Sequence, residues 1–453
     1  MRSPDDAAAH DATDRVAAWL ERALAASVSE IRRQPRWRPV WFADVERDGE
    51  QLELCVRGDR TDMQLIFPLA HEMRFQALLH ERGIPTAAVH GWIDDPAAYV
   101  MDRVPGRADF AGTSDAERDV VVDHYLEILA EMHALDPAPF VEAGIVAADD
   151  TADSGTIGMT RYEAVYRAQK IVPDPFVEFA LGWLRRNPPR SHGRSAPIVW
   201  DSGQFHHEDG KVVAVLDLEL GHIGDPMMDL AAWRMRDTVL HYGDFHALYA
   251  RYEALSGAPV DLTAIRRHHV AFTLTNQLVF GAAIADPPPG SDLMTNLQWC
   301  AETNLFATEA LAEELDVDLP EIEPLDEADS PHAPAHRSLV GLLGSVTTDD
   351  EFLRYQLRTA FRTARHLQRA DEVGAVAAAA DLDDLQALFG HRPPGWREAE
   401  AELEAFVLAD TGDGRHDDQL VALFHRRHLR RQALLGRSAS AMTRHLPIQS
   451  FGH

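Results

Sequence analysis

Two acidic residues in the middle of the chain each follow a short apolar segment. Asp201 comes directly after residues 198–200, and Asp217 comes directly after the β-branched run 212–216. Asp209-Gly210 between them predicts a tight hairpin turn. Because paired strands lie about 4.8 Å apart, we expect both carboxylates to face one small cleft. In such a cleft one carboxylate can hold a divalent metal ion while the other orients a hydroxyl nucleophile, which is the division of roles in phosphoryl transfer.

The segment 216–231 extends this acidic pattern. It reads L-D-L-E-L-G-H-I-G-D-P-M-M-D-L-A and adds Glu219, Asp225 and Asp229. This segment resembles the metal-binding strand and following loop of the aminoglycoside phosphotransferase and choline kinase-like family. The resemblance implies a protein-kinase-like α+β fold with two lobes, and an activity that phosphorylates a small-molecule hydroxyl with ATP and Mg²⁺. The alternative is an α/β protein whose acids merely cap strands and turns, since a fold does not by itself imply an activity.

The three additional acids have supporting roles in this comparison. In the family the acid that corresponds to Asp229 braces the catalytic loop from behind, and Asp225 opens a turn before Pro226. Structural capping is the alternative for both, because Asp is favoured at helix starts. Glu219 lies two residues beyond Asp217 and so shares its strand face, where a role near the metal and a solvated edge position are both open.

The catalytic loop departs from the family pattern, which reads His-Gly-Asp, four residues, then Asn. Val199 and Trp200 stand at the His and Gly positions, and Asp201 matches the acid that orients the hydroxyl. Gln204 then matches the Asn that helps to hold Mg²⁺ together with Asp217, in a loop two residues shorter. Counting back from Gln204 without a gap places Val199 at the acid and removes the chemistry. We favour the gapped match because it keeps the turn at residues 201–203.

The N-terminal third resembles the small, nucleotide-binding lobe of the same family. Residues 41–46 and 52–57 alternate around Asp48-Gly49, which predicts a hairpin. Residues 99–106 resemble the hinge strand under which adenine lies, which makes Met101 and Arg103 candidate nucleotide contacts. The small lobe contains no lysine, so the basic residue that binds the phosphates is by position Arg57, with Glu72 as its acidic partner. A surface Arg and an ordinary helix Glu are the alternative.

The expected phosphate-binding loop is the second departure. Residues 36–44 contain no glycine, although glycine lets backbone N–H groups approach a nucleotide closely. Nucleotide binding there is expected to be weaker, or to use Arg36 and Arg38 instead of backbone amides. Together with the altered catalytic loop, this supports a second hypothesis, in which the protein is a catalytically degenerate, pseudokinase-like module that binds a ligand or partner.

Composition indicates which partners and compartments to expect. The formal net charge of −30 disfavours nucleic acid and anionic membrane surfaces as partners. The two cysteines are typical of a reducing compartment, and we find neither an apolar run of the ~20 residues that a membrane span needs nor the apolar core of a signal peptide. We therefore predict a cytoplasmic protein that acts on a small molecule.

The predicted domain organisation has five parts. They are an N-terminal extension with a helix (1–36), a small β-rich lobe (37–104), a mainly helical large lobe (105–318), a linker rich in Pro, Asp and Glu (319–336) and a helical C-terminal domain (337–453). In the last of these, residues 350–370 and 382–389 are predicted as separate helices. The basic stretch 425–435 is expected either to dock on the acidic large lobe of the same or a neighbouring chain or to face solvent. The C-terminal helices are the predicted contact of a homo-oligomer.

Overall fold

The computed structural model describes residues 4–60, 63–189, 191, 193–410, 412–436 and 445–451. The strands are β1 (Ser27–Arg33), β2 (Val40–Arg47), β3 (Glu50–Gly58), β4 (Val89–Asp94), β5 (Ala97–Asp102), β6 (Ala196–Ile198), β7 (Phe205–Glu208), β8 (Lys211–Val215) and β9 (His222–Gly224). The helices are α1 (Pro4–Leu24), α2 (Leu69–Glu81), α3 (Asp115–His133), α4 (Ala138–Glu142), α5 (Ile157–Gln169), α6 (Pro175–Arg186), α7 (Pro226–Leu240), α8 (Phe245–Ser256), α9 (Leu262–Thr273), α10 (Thr275–Ala285), α11 (Leu293–Leu315), α12 (Ala333–Ser345), α13 (Glu351–Phe389), α14 (Trp396–Asp410) and α15 (Asp417–Leu435).

The chain forms two compact units. The first comprises Met1–Ile157, Ser191–Trp233 and Leu240–Val260, and the second comprises Gly158–Arg190, Arg234–Val239 and Asp261–His453. All strands of the described residues belong to the first unit. The domain boundaries drawn from the sequence stay predictions.

An antiparallel five-stranded sheet forms the N-terminal part of the first unit, in the order β1-β2-β3-β5-β4. The predicted hairpin between β2 and β3 is confirmed, with Asp48 at φ 55° and Gly49 at φ 84°. Two successive positive φ angles are typical of a type I′ turn, whose twist matches that of the flanking strands. The sheet therefore presents β3 and β5 side by side, with Cys55 opposite Met101.

Helix α1 covers one face of this sheet, as the apolar spacing of the N-terminal segment predicts. Val16 and Leu20 are fully buried against Trp41 of β2. The Trp41 indole Nε1 donates to the Thr13 hydroxyl at 2.9 Å, so the polar edge of a buried ring also has a partner. The helix thus completes the core of the small lobe.

The strand pairing around the two central acids differs from the prediction. Residues 198–200 were expected to pair with residues 212–216, but β6 pairs with β9, and β8 pairs with β7 across the turn at Asp209-Gly210. Asp201 lies in the loop between β6 and β7, and Asp217 follows β8 in a loop that begins a 3-10 turn. The pairing prediction is wrong because the tight turn joins β8 to the strand adjacent in sequence.

Glycine is required where backbone segments of the first unit meet closely. A Cβ added at Gly221 would lie 2.2 Å from the Phe75 ring of α2, and one at Gly106 would lie 2.6 Å from the carbonyl oxygen of His207 in β7. Real Cβ atoms do not approach other atoms so closely. These two glycines therefore allow α2 to contact the loop after β8, and the segment after β5 to contact the β7–β8 hairpin.

The second unit is built from helices, and its longest one corrects the sequence analysis. The predicted separate helices at 350–370 and 382–389 are a single 39-residue helix, α13. Its first turn is capped by Asp350, whose carboxylate accepts from the backbone N–H groups of Phe352 and Leu353. The alanine-rich stretch between the two predicted helices has no clear apolar periodicity but a high helix propensity, so the helix continues through it.

The basic helix α15 is packed inside the second unit rather than exposed to solvent. Arg427 and Arg430 are 4% and 7% exposed. Arg430 pairs with Asp381 at 2.6 Å and with Asp384 at 2.7 Å, both on α13, while Arg427 contacts Glu400 of α14. Both arginines thus pair with acids of the C-terminal helices α13 and α14, whereas the sequence analysis expected docking on the large lobe or exposure to solvent. No helix in the described part of the chain has the length and apolarity that crossing a membrane requires.

Candidate functional site

Arg57 of β3 lies at the centre of a cluster of charged side chains in the first unit. Its guanidinium contacts Glu72 of α2 at 2.6 Å, Asp217 at 3.1 Å and Glu219 at 3.2 Å. Burial lowers the pKa of Arg57, but these carboxylates outweigh it and hold the pKa well above its usual range. The structure therefore brings together four of the residues singled out in the sequence, from β3, α2 and the segment after β8.

A second guanidinium, that of Arg38, completes this cluster. Arg38 is fully buried and contacts Glu72 at 3.2 Å and Glu219 at 2.6 Å, while its Nε donates to the carbonyl oxygen of Gly58 at 3.0 Å. The Tyr99 hydroxyl donates to Glu72 at 3.1 Å. Sequence analysis considered Arg38 only as a replacement for backbone amides in the phosphate loop and missed this bracing role.

The cluster of Arg38, Arg57, Glu72, Asp217 and Glu219 has an excess of negative charge, because three carboxylates face two guanidiniums. The pKa of Glu219 is raised by burial and by the neighbouring Asp217, and the two arginines only partly offset this. A raised carboxyl pKa means that burial and the neighbouring carboxylate disfavour the charged form of Glu219.

Asp217 adopts an uncommon backbone conformation, with φ 57° and ψ 56°. Its second carboxylate oxygen accepts from the Gln204 side-chain amide at 3.1 Å, and the backbone N–H of Leu216 donates to the Gln204 carbonyl at 2.9 Å. A left-handed conformation at a residue other than glycine has an energetic cost, and such residues cluster at functional sites. The prediction that Gln204 and Asp217 lie together is met by this geometry.

Asp229 holds the loop that contains Asp201. Its carboxylate accepts from the backbone N–H of Val199 at 3.2 Å and of Trp200 at 2.6 Å, and it hydrogen-bonds His133 at 3.0 Å. Asp229 is fully buried. The bracing role expected from the family resemblance is therefore present in the hydrogen bonds of this chain.

Asp225 has a different role, because its carboxylate accepts from the backbone N–H of Met227 at 2.9 Å. That contact lies at the first turn of α7, so Asp225 caps this helix, which was the structural alternative for it.

Two buried tyrosines fix the remainder of the loop, and sequence analysis did not identify them. The Tyr125 hydroxyl accepts from the backbone N–H of Gly203 at 2.7 Å and contacts the Ser202 hydroxyl at 2.8 Å. The Tyr242 hydroxyl donates to the Gly203 carbonyl. Tyr125 lies within an apolar helical pattern, which ordinarily indicates packing alone, and Tyr242 lies between α7 and α8, where no pattern marks it.

The conformation of Trp200 supports the gapped match of the catalytic loop. Trp200 has φ 58° and is fully buried, with its ring against that of His222 at 5.4 Å. A positive φ favours glycine, and Trp200 stands at the position where the family carries one. This alignment places Asp201 at the acid, and Asp201 is half-buried at the end of a tight turn closed by its N–H and the Val199 carbonyl at 2.8 Å.

The predicted nucleotide contacts of the hinge strand have other partners in the structure. The Met101 sulfur accepts from Gln76 at 3.4 Å. The Arg103 guanidinium pairs with Glu53 at 2.6 Å and Asp44 at 3.2 Å. His206 on β7 hydrogen-bonds the carbonyl oxygen of Pro105 at 2.9 Å, which is a structural contact. Any nucleotide role of Met101 and Arg103 stays a prediction.

The segment that contains this site matches a known protein family. The sequence model of the phosphotransferase enzyme family, APH, matches residues 38–236, from Arg38 through the braced loop and Asp229. This match covers 199 of the 453 residues, so the similarity concerns this segment of the chain. The match agrees with the resemblance inferred from the sequence, and the structure has the predicted α+β class with a helical C-terminal region.

Curated relatives of the phosphotransferase segment are parts of longer proteins. Acyl-CoA dehydrogenase family member 11 of Mus musculus is 29% identical over 189 residues, which is 37% of this chain and 23% of that protein. The Homo sapiens protein of the same name is 28% identical over 183 residues, again 23% of its length. The chain thus spans less than a quarter of the curated relatives that it matches.

Solved structures with similar folds are phosphotransferases of low sequence identity. The macrolide 2′-phosphotransferase MphH of Brachybacterium faecium is 18% identical, with a TM-score of 0.43 over 61% of this chain and 100% of that one. The aminoglycoside phosphotransferase APH(4)-Ia, in complex with ADP and hygromycin B, is 15% identical, with a TM-score of 0.44 over 64% of this chain and 95% of that one.

Proposed function

We propose that this phosphotransferase transfers a phosphoryl group from ATP to a hydroxyl of a small molecule in the presence of Mg²⁺. The observation that carries the proposal is the position of Asp217. Its carboxylate lies between Gln204 and Arg57, and Arg57 is itself paired with Glu72. A basic residue paired with a helix glutamate, next to an acid after a strand, is the arrangement that binds nucleotide phosphates in kinases.

The charge of the cluster fits a bound divalent cation. Mg²⁺ prefers oxygen ligands and usually binds one or two carboxylates together with phosphates and waters, so a cage of several protein ligands is not required. Asp217 and Gln204 would hold it, after a half-turn of the Gln204 amide that presents its oxygen. Among the described residues, no group of three or more His, Cys, Asp and Glu side chains is arranged to hold a metal.

The guanidiniums supply the contacts that a glycine-rich loop would otherwise make. Arg57 would bind the phosphates while Glu72 fixes its direction. Arg36 lies close enough to the cluster that its pKa is lowered by burial and by Arg57, with Asp217 acting in the opposite direction. A bound MgATP complex would supply the phosphoryl group and neutralise developing charge, and these residues would position its phosphates.

Asp201 would accept the proton of the acceptor hydroxyl as the hydroxyl oxygen bonds to the γ-phosphorus, while the bond from that phosphorus to the β,γ-bridging oxygen breaks and ADP leaves. The loop that carries Asp201 is held from one side by Asp229 and from the other by Tyr125 and Tyr242. Such fixation matters because proton acceptance requires hydrogen-bond distance to the reacting hydroxyl.

Thermal unfolding with ATP alone, with Mg²⁺ alone and with both tests the nucleotide site. A ligand at 100 times its Kd adds about 2.7 kcal/mol to the free energy of unfolding. We expect a Mg²⁺-dependent ATP shift that Asp217→Asn abolishes and that the control Asp94→Asn, at the exposed end of β4 of the same lobe, keeps. A wild-type protein without any shift at millimolar ATP would exclude the proposal.

Turnover is tested separately, as ATP consumption with a panel of hydroxyl compounds. Asp201→Asn is expected to keep the thermal shift and lose turnover, because it retains the nucleotide site and removes the proton acceptor. Turnover that survives in Asp201→Asn would contradict the assigned role.

The second candidate is a catalytically degenerate module that binds a ligand or partner, and Arg38 favours it. Its buried guanidinium is tied to two carboxylates and a backbone carbonyl in the place where the family has a flexible glycine loop. An ATP shift without turnover of any hydroxyl compound, and with no effect of Asp201→Asn, would support this candidate. A cytoplasmic location and self-association through the C-terminal helices stay predictions; sedimentation velocity tests the latter.

A further inference from the structure

A cavity of about 600 Å³ lies within the second unit. Its walls come from the segment between α5 and α6 and from helices α10, α11, α13, α14 and α15. Most of this wall is apolar and includes Leu278, Ala282, Ala285, Leu297, Ala301 and Leu434. Its volume is within the range of sites that bind small molecules, which are typically apolar with a few polar groups.

A chain of three hydrogen-bonded side chains interrupts the apolar wall. The Gln277 amide nitrogen donates to the Asp174 carboxylate at 2.8 Å, and the Asn304 amide nitrogen donates to the Gln277 oxygen at 3.1 Å. Because a carboxylate only accepts, Asp174 fixes the orientation of Gln277, and Gln277 in turn fixes that of Asn304. The amide oxygen of Asn304 is therefore left as an acceptor.

That acceptor oxygen is buried without a partner. Asn304 lines the cavity and is only 3% exposed, and its Oδ1 has no hydrogen-bond partner among the described residues. An unsatisfied buried acceptor has a cost of about 1–3 kcal/mol. A donor group from a molecule inside the cavity would remove this cost, whereas a purely apolar molecule or a group that only accepts would not.

The charged groups that line the cavity favour an uncharged occupant. Lys170 pairs with Glu178 at 2.6 Å and also with Glu404, while Arg431 lies 3.9 Å from Glu400. Burial raises the pKa of Asp174, which means that its surroundings disfavour an additional negative charge. Lys170 and Arg431 are thus already matched by acids, and the third lining cation, Arg397, is exposed with its guanidinium 4.4 Å from the centroid of the Trp396 ring.

Exposed apolar side chains surround the opening. Ile171 and Trp396 are each 61% exposed and Val172 is 47% exposed, and all three line the cavity. Large apolar side chains that remain exposed together are typical of a ligand entrance or a binding surface.

We propose that this cavity binds an uncharged, largely apolar alcohol whose hydroxyl donates to the Asn304 amide oxygen. The alkyl or ring portion would lie against Leu278, Leu297 and Leu434, and no covalent step is involved. The ligand site belongs to the second unit and does not depend on the function proposed for the phosphotransferase segment.

Calorimetric titration with three matched probes tests the chemistry on the full chain. The probes are 1-octanol, its isomer 1-methoxyheptane, which has the same number of non-hydrogen atoms but no donor, and octanoate, which is anionic. We expect 1-octanol to bind about tenfold more tightly than the ether, the effect of one buried hydrogen bond, and octanoate to bind more weakly than both. Octanol no tighter than the ether, or octanoate the tightest, would overturn the proposal.

Two variants locate the binding to this cavity. Gly281 lines it on α10, and a Cβ there meets no atom closer than 3.5 Å, so Gly281→Phe fills the space without a backbone clash. Gly341→Phe on α12, where a Cβ meets nothing within 4 Å, is the control. We expect loss of octanol binding in the first variant and wild-type binding in the second. Unchanged binding in a folded Gly281→Phe protein would overturn the assignment.

Asn304→Leu tests the acceptor itself. This variant should keep the apolar binding but lose the preference for the alcohol, so that 1-octanol and 1-methoxyheptane bind equally. A preference that persists would mean that another group accepts the hydroxyl. The probe series on the wild-type protein needs no variant, and so it remains decisive if a substituted chain fails to fold.

Discussion

Replacing Arg38 by methionine should destabilise the small lobe far more than the same change at Arg103. Each arginine pairs with two carboxylates in this lobe, but the side chain of Arg38 is 0% exposed and that of Arg103 is 25% exposed. The two substitutions are therefore matched in chemistry and in the number of ion pairs, and they differ in burial.

The expected magnitudes follow from that difference. Removal of one partner of a buried ion pair leaves an uncompensated charge and has a cost of about 3–5 kcal/mol. Glu72 is itself buried, but it would keep Arg57 and Tyr99 as partners. We therefore expect Arg38→Met to lower the free energy of unfolding by an amount near the lower end of this range. Exposed ion pairs contribute about 0–1 kcal/mol, which sets the expectation for Arg103→Met.

Hydrogen exchange of backbone amides in β2 and β3 measures this cost where it arises. Since about 1.4 kcal/mol corresponds to a factor of ten, Arg38→Met should accelerate exchange of residues 40–58 by about 100-fold or more, and Arg103→Met by less than about fivefold. Adding Glu219→Gln should recover part of the loss, because it removes one of the three carboxylates that would then face Arg57 alone. Equal acceleration by both arginine variants would refute the reasoning from burial.

Three further predictions concern the braced loop and the C-terminal segment. Asp229→Asn removes one acceptor for the loop backbone, so kcat should fall about 10–100-fold with little change in the KM for ATP; a change confined to KM would contradict this. Tyr125→Phe leaves the N–H of Gly203 unpaired and should lower the free energy of unfolding by about 1–3 kcal/mol in urea titration, and a loss below about 0.5 kcal/mol would show that another group replaces it. Burial lowers the pKa of His445, but the carboxylates of Glu302 and Glu309 outweigh this and raise it to about 9. The folded pKa lies above the unfolded one, so the stabilisation is complete below about pH 6.5 and is lost as the pH rises through 9. His445→Gln should therefore differ most from wild type in acid and least above pH 9, and a pH-independent difference would refute the assignment.

Local chemistry made the hairpins and the site-bearing segments predictable. The Asp-Gly pairs at 48–49 and 209–210 both form tight turns with positive φ, as their residue types require. The acids at 217 and 229 could be placed because their spacing matches a known family. Both features depend on residues that are close together in the sequence, so they can be recognised without knowledge of the fold.

Long-range partners were not predictable from the same evidence. The pairing of β6 with β9 joins short apolar segments that contain no register information. Arg38 is buried because Glu72 and Glu219 approach it from two other elements, and nothing in its own neighbourhood indicates that. In the same way, the arginines of α15 are buried because acids on α13 and α14 face them.

The tryptophan at position 200 constrains how this loop can evolve. Its buried indole packs against His222, while its backbone has a conformation suited to glycine. A change to glycine would relieve backbone strain of about 1–3 kcal/mol but would leave a cavity that costs about 3–5 kcal/mol. Glycine is therefore disfavoured at this position unless neighbouring residues are replaced by larger ones at the same time. We expect sequences derived from this one to keep a large residue at position 200, whether or not they are catalytically active.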